Sequence, residues 1–177
     1  MPELRITGGE LRGRRLRVPR RGVRPTTGMV REAAFSMLGS VEGAKVLDLF
    51  CGSGALAIEA LSRGAAEATL VDTKPAPARR NVEELGLTER ASVVRADAAR
   101  FLRRAEQGSF DLVLCDPPYR LADRLAADLD PRIRDVLAPG GRVMVESSPD
   151  RPLELSLPLL TERTYGDTLV RVYGAEL

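Results

Sequence analysis

Asp116-Pro117-Pro118-Tyr119 directly follows the apolar run Phe110-Asp111-Leu112-Val113-Leu114-Cys115. An acid, two prolines and an aromatic ring at the end of a buried strand make a rigid corner. Proline fixes φ and has no N–H, and Pro118 pushes Pro117 towards extended geometry. The corner therefore offers a carboxylate, unpaired backbone carbonyls and a flat ring to one small volume. Those groups suit a planar nitrogen base, whose amino group needs acceptors and whose face needs a stacking partner. The same residues also read as an ordinary proline-rich turn with Tyr119 packed beside it.

Three further acids close apolar runs. Asp48 stands in Val46-Leu47-Asp48-Leu49-Phe50, Asp72 ends Ala68-Thr69-Leu70-Val71, and Asp97 follows Ala91-Ser92-Val93-Val94-Arg95-Ala96. After the first run comes the loop Cys51-Gly52-Ser53-Gly54. Gly52 and Gly54 allow a sharp turn and a close approach by a ligand, and such a loop at a helix start can hold a pyrophosphate. The full G-x-G-x-x-G is absent, although Ala57 fills the third place. An acid beside the loop would repel pyrophosphate but suits a cation. S-adenosylmethionine, with its sulfonium and ammonium groups, matches an acid-lined pocket. Asp72 is then placed to accept two ribose hydroxyls and Asp97 to accept the adenine amino group. Each acid also has a plain structural reading, Asp48 and Asp97 as helix caps and Asp72 as a solvated strand end.

The elements that must position these residues are legible from periodicity. Leu4–Thr7 and Arg15–Val18 alternate and read as a small hairpin with arginines on its wet face. Residues 28–39 carry Val30, Ala33, Ala34, Met37 and Leu38 at helical spacing. Strands are expected at 46–50, 68–72, 91–95, 110–115 and 141–146. Helices are expected at 55–63, 75–85, from 98 to about 105, and at 121–136 with a break near Pro131. Two more strands, about 156–164 and 168–173, meet at Tyr165-Gly166-Asp167. Strand and helix alternating in this way predict an α/β, Rossmann-like fold. The expected sheet is seven-stranded and mostly parallel, with an antiparallel edge strand. In such sheets ligands bind beyond the carboxyl ends of the strands, where the acids stand.

Composition excludes several classes. The chain has 177 residues, 44% hydrophobic and 29% charged, ordinary for one soluble domain. No apolar run approaches a membrane span and no secretory signal is read at the N-terminus, so a cytoplasmic location is expected. Cys51 and Cys115 are the only cysteines and there is no His. No metal is therefore expected, the thiols read as buried and reduced, and the commonest general base is missing.

Charge is unevenly spread. Residues 1–24 hold eight arginines against Glu3 and Glu10, a net of +6, while residues 25–177 carry a net of −4. Such a basic arm points to a polyanion, and Arg supplies a planar fork that pairs with phosphate and stacks on bases. The chain is accordingly divided into a basic hairpin arm aimed at nucleic acid, residues 1–24, and a second, α/β domain, residues 25–177.

Several segments resemble the bacterial methyltransferases of the RsmD type, which modify the exocyclic 2-amino group of a guanine in small-subunit (16S) ribosomal RNA. The matching segments are Arg5–Gly9, Gly13–Leu16, Arg24–Thr27, Val30–Phe35, Leu47–Leu56, Glu59–Ala65, Phe110–Tyr119 and Tyr165–Thr168. The central motifs are common to many amino-group methyltransferases. Arg24-Pro25-Thr26 with Val30-Arg31-Glu32 is more specific. The chain departs from the family at Gly28-Met29, where an acid and a base are usual, at Cys51, where Ala is commoner, and at Asp72, where Glu is commoner.

The resemblance implies a class I S-adenosylmethionine-dependent methyltransferase. Asp48, Gly52, Gly54, Asp72 and Asp97 would line the cofactor pocket. Asp116, Pro117, Pro118 and Tyr119 would hold the target base. Arg5, Arg12, Arg14, Arg15, Arg24 and Arg31 would contact RNA, although Arg31 could instead pair with an acid and Thr26 could cap a helix. A monomer acting on ribosomal RNA, within a small subunit or its assembly intermediate, is expected. Rival readings are an adenine amino-group methyltransferase on DNA or RNA, a glutamine methyltransferase acting on protein, an NAD-dependent oxidoreductase, and a non-catalytic RNA-binding assembly factor.

Overall fold

Apolar runs alternating with helices build one seven-stranded sheet in the computed structural model, which describes residues 3–19 and 26–175. A two-stranded hairpin, β1 (Glu3–Arg5) and β2 (Arg15–Arg17), comes first. There follow α1 (Gly28–Leu38), β3 (Lys45–Leu49), α2 (Ala55–Ser62), β4 (Glu67–Asp72), α3 (Ala76–Glu84) and β5 (Ala91–Arg95). The chain continues with α4 (Ala98–Leu102), β6 (Phe110–Cys115), a 3-10 turn (Tyr119–Leu121), α5 (Ala122–Val136) and β7 (Leu137–Ser147), then β8 (Leu159–Tyr165) and β9 (Thr168–Gly174). No helix among the described residues is long and apolar enough to cross a membrane.

The strand order is β5-β4-β3-β6-β7-β9-β8. The first five strands in that order pair in parallel, and β9 runs antiparallel to both β7 and β8. The expected antiparallel hairpin thus closes one side of the sheet, with its reversed strand β9 one place in from the edge. The order reverses at β3, which is flanked by β4 and β6. This is the switch point where open α/β sheets bind ligands.

Both faces are covered, which is why the central strands read as continuous apolar runs. Val46, Leu112, Leu114 and Met144 pack on one face with α1, α2 and the buried Leu4, Ile6, Leu16 and Val18 of the hairpin segment. Leu47, Leu49, Val113, Val143 and Val145 pack on the other with α4 and α5. Two expected helix limits differ. α5 runs through Pro131 without a break. Proline costs one backbone donor, but Leu129, Ile133 and Val136 keep that face buried in the core. α4 stops at Leu102, where Arg104 and Ala105 N–H groups both turn back to the Phe101 carbonyl.

Among the groups that fasten the hairpin to the sheet layer, one carboxylate collects the most hydrogen bonds. Glu59 of α2 is fully buried. It accepts hydrogen bonds from the Thr7 hydroxyl at 2.6 Å, the Thr7 and Gly8 amides at 2.9–3.1 Å, and Arg31 Nε and Arg63 Nε at 3.0 Å each. Burial alone would raise this carboxyl. The Thr7 hydroxyl and amide, with Arg31, outweigh burial and hold it below the usual range.

This arrangement corrects the reading of Arg31 as an RNA contact. Arg31 is fully buried, and its guanidinium donates to Glu59 and to the carbonyls of Thr26 and Arg5. It joins α1, α2 and β1 and presents nothing to a phosphate. Arg24 lies outside the described residues. Replacing Glu59 by Ala leaves Arg31 charged and buried without its partner, a class of change that costs about 3–5 kcal/mol. Urea denaturation of Glu59→Ala is expected to show a loss of that size.

Candidate active site

The carboxyl ends of β3, β6 and β7 carry three acids on one face of the sheet. Asp48 pairs in register with Leu114 and Leu114 with Met144, and side chains alternate along each strand. Asp116, two residues past Leu114, and Glu146, two past Met144, therefore share the face of Asp48. Asp48 and Glu146 are buried, at 1% and 2% exposure, and Asp116 is half-buried.

The donors available to these acids are few. Asp48 Oδ2 accepts from the Ala57 N–H at 3.1 Å, and Oδ1 is buried with no partner. Glu146 Oε2 accepts from the Thr26 hydroxyl at 2.7 Å, and Oε1 is likewise buried and unpaired. Desolvation pushes the Asp48 carboxyl up to about 8, with the Asp72 and Glu146 charges adding to the rise. Asp116 is raised well above its ordinary value by desolvation and then by Glu146 and Asp48. Glu146 is raised by burial, against the Thr26 hydrogen bond and nearby Arg31.

The loop from β3 to α2 is held open beside this cluster. Gly54 starts α2 in the left-handed region, at φ 82°. A Cβ there would come 2.9 Å from a Leu70 methyl, so the position needs glycine twice over. Gly52, at φ 55°, has no atom within 4 Å of where its Cβ would lie, which leaves space over the loop. Phe50 also takes a positive φ of 60°, rare for an aromatic residue and common where a site stores strain.

The two readings of the acids coexist. Asp48 supports the first turn of α2 with one oxygen and keeps the other. Asp97 is exposed and caps α4, accepting from the Arg100 N–H at 3.1 Å. Asp72 accepts from the Gly52 N–H at 2.9 Å and the Lys74 N–H at 2.8 Å, one bond to each oxygen, which leaves further lone pairs. Thr27, not Thr26, caps α1. At the corner Pro117 is buried, and Pro118 and Tyr119 are exposed. Cys51 and Cys115 are buried free thiols, and burial raises both, so neither is a nucleophile at neutral pH.

Glu146 is the site residue that the sequence reading passed over. Its signal was present, because it ends the apolar run Val143-Met144-Val145 as the other acids end theirs. In the hairpin, Arg5 and Arg15 pair with Glu3, and Arg17 with Glu84 of α3. Arg12 and Arg14 are exposed and form no ion pair among the described residues.

The unpaired acid oxygens suit a cationic group better than an anionic one. A positive ligand would supply the missing partner of the Asp48 Oδ1 and let the acids ionise together, whereas a phosphate would meet only acids.

The chain is similar to several known proteins. The family described as Conserved hypothetical protein 95 matches residues 4–174. Ribosomal RNA small subunit methyltransferase D of Escherichia coli (strain K12) is 45% identical over 123 residues, which cover 67% of this chain and 61% of that protein's length. The protein of that name from Haemophilus influenzae is 34% identical over 182 residues, covering 97% of this chain and 93% of its own. The solved structure of a hypothetical protein from Thermus thermophilus superposes with a TM-score of 0.81 at 32% identity, over 98% of this chain and 99% of that one. An RNA methyltransferase from Salinibacter ruber, solved with S-adenosyl-L-homocysteine, shares the fold at a TM-score of 0.67 and 19% identity, over 86% of this chain and 94% of that one.

The raised Asp48 carboxyl has a consequence for stability. Its folded value of about 8 exceeds the ordinary 3.8, so its favourable contribution is complete below pH 4 and is lost as pH rises towards 8. Asp48→Asn keeps an acceptor for Ala57 and carries no charge. It is expected to raise Tm at pH 8 by roughly 2–4 °C per kcal/mol recovered, and to leave Tm nearly unchanged at pH 4. Calorimetric melts at the two pH values check this.

Proposed function

The chain belongs to the Conserved hypothetical protein 95 family, the RsmD type, and from that premise we propose that it methylates the exocyclic 2-amino group of a guanine in small-subunit ribosomal RNA. The methyl donor is S-adenosylmethionine. One observation carries the reading: buried carboxylates with an unpaired oxygen stand beside the proline-stiffened corner at the switch point of the sheet.

Asp48, Gly52, Gly54, Asp72 and Asp97 would hold the donor. Asp48 would meet its positive charge, Gly52 would leave room over the loop, and Asp72 and Asp97 would accept from ribose hydroxyls and the adenine amino group. When bound, the donor supplies an electrophilic methyl group on a sulfonium.

The remaining work falls to the corner. A guanine amino nitrogen is a weak nucleophile because its lone pair is delocalised into the ring. The Asp116 carboxylate and the Pro117 carbonyl accept its two hydrogens, which aims the lone pair and stabilises the charge that develops on nitrogen. Tyr119, 43% exposed as a residue, stacks on the base and fixes its plane. Orientation supplies much of the acceleration. The nitrogen proton becomes acidic once the methyl has moved, so no histidine base is needed. The base must leave its stack to enter the corner. Arg12 and Arg14, exposed on the turn between β1 and β2, grip phosphates, and their contribution falls with salt.

Asp116→Ala is expected to abolish methyl transfer to ribosomal RNA while S-adenosylmethionine binding, measured by calorimetry, survives. Undiminished turnover would remove Asp116 from the mechanism.

A further inference from the structure

We propose that Glu146 is the residue that selects guanine over adenine. The inference rests on the base-methylation reading above and assigns a role to a residue which that mechanism does not use. Glu146 lies next to Asp116 across the β6–β7 register, where Cys115 pairs with Val145, and on the same face. It is 2% exposed, and the Thr26 hydroxyl donates to Oε2 at 2.7 Å. Oε1 is buried with no donor. Such an atom costs about 1–3 kcal/mol while it stays unsatisfied, and the position carries a Glu where its neighbours Met144 and Val145 are apolar. A ligand donor arriving beside Asp116 would satisfy it.

The chemistry of the two purines identifies that donor. In guanine the reacting amino group is flanked on the Watson–Crick edge by N1–H, a donor. In adenine the amino group is flanked by N1 without hydrogen, an acceptor. With the amino group held by Asp116 and the Pro117 carbonyl, a carboxylate alongside accepts from guanine N1–H and repels the adenine N1 lone pair. A site with a buried acceptor penalises the base that leaves it unpaired. Burial raises the Glu146 carboxyl, and the Thr26 hydrogen bond and nearby Arg31 oppose that rise; the guanine N1–H, as a further donor, favours the ionised form that this selection needs.

The test uses the full chain, S-adenosylmethionine and small subunits reconstituted on unmodified transcript. The position methylated by the wild type is mapped and then prepared as guanine or adenine. Glu146→Gln can turn an amide N–H towards the base. It is expected to lower kcat/KM on guanine by about 10–100-fold, the worth of one hydrogen bond to a charged group, and to raise relative activity on adenine, both measured at saturating donor. Glu146→Asp keeps the charge but withdraws it by one methylene, so it is expected to lose rate on guanine without gaining on adenine. Thermal melts accompany both variants. If Glu146→Gln does not fold, Glu146→Asp decides: wild-type kcat/KM on guanine would overturn the proposal. A folded Glu146→Gln with an unchanged guanine-to-adenine ratio would overturn it too, while leaving guanine methylation intact. A wild-type protein that methylates no guanine in these particles would remove both readings together.

Discussion

Asp48, Asp116 and Glu146 form a carboxylate cluster with too few donors, and the rest of the molecule is arranged around that constraint. Asp48 and Glu146 each have one oxygen satisfied and one not. Like charges this close raise one another, and burial raises them further. A protein selected only for stability would fill such positions with apolar side chains. Keeping acids there costs folding free energy and leaves buried oxygens that a cation's donors would satisfy.

The scaffold tolerates this cost because its other buried charges are well matched. Glu59 takes its hydrogen bonds from Thr7, Gly8, Arg31 and Arg63, so that carboxylate is fully served. The same bonds fasten the hairpin to α1 and α2. Arg31 then stands near Glu146 and favours its charged form. One structural arginine thus links the basic N-terminal segment to the acid cluster. The turn carrying Arg12 and Arg14 is held on the packed layer through Glu10 and Leu11, whose amides donate to Ser62 of α2.

Much of this was legible in the sequence because it is local. The alternation of apolar runs and helices gives the sheet, and Gly52, Gly54 and the run ending in Asp116 mark its ligand edge. The hairpin alternation correctly put Leu4 and Leu16 inside and Arg5, Arg15 and Arg17 outside. What was not legible depends on distance along the chain. Arg31 and Glu59 are 28 residues apart and Thr26 and Glu146 are 120 apart, and no periodicity pairs them. Charge counting and the resemblance pointed Arg5 and Arg15 at RNA, whereas the structure pairs both with Glu3 across the hairpin. Pro131 misled for the opposite reason. Its local cost is real, but the buried face of α5 outweighs it.

Proton linkage on donor binding tests the central claim most directly. With Asp48 raised to about 8 in the ligand-free protein, a cation bound against it must release protons at pH 7. Calorimetric titration of S-adenosylmethionine in two buffers of different ionisation heat measures that release. The account predicts net proton release and an affinity that rises with pH up to about 8. Binding with no proton exchange, or affinity that falls over that range, would contradict it.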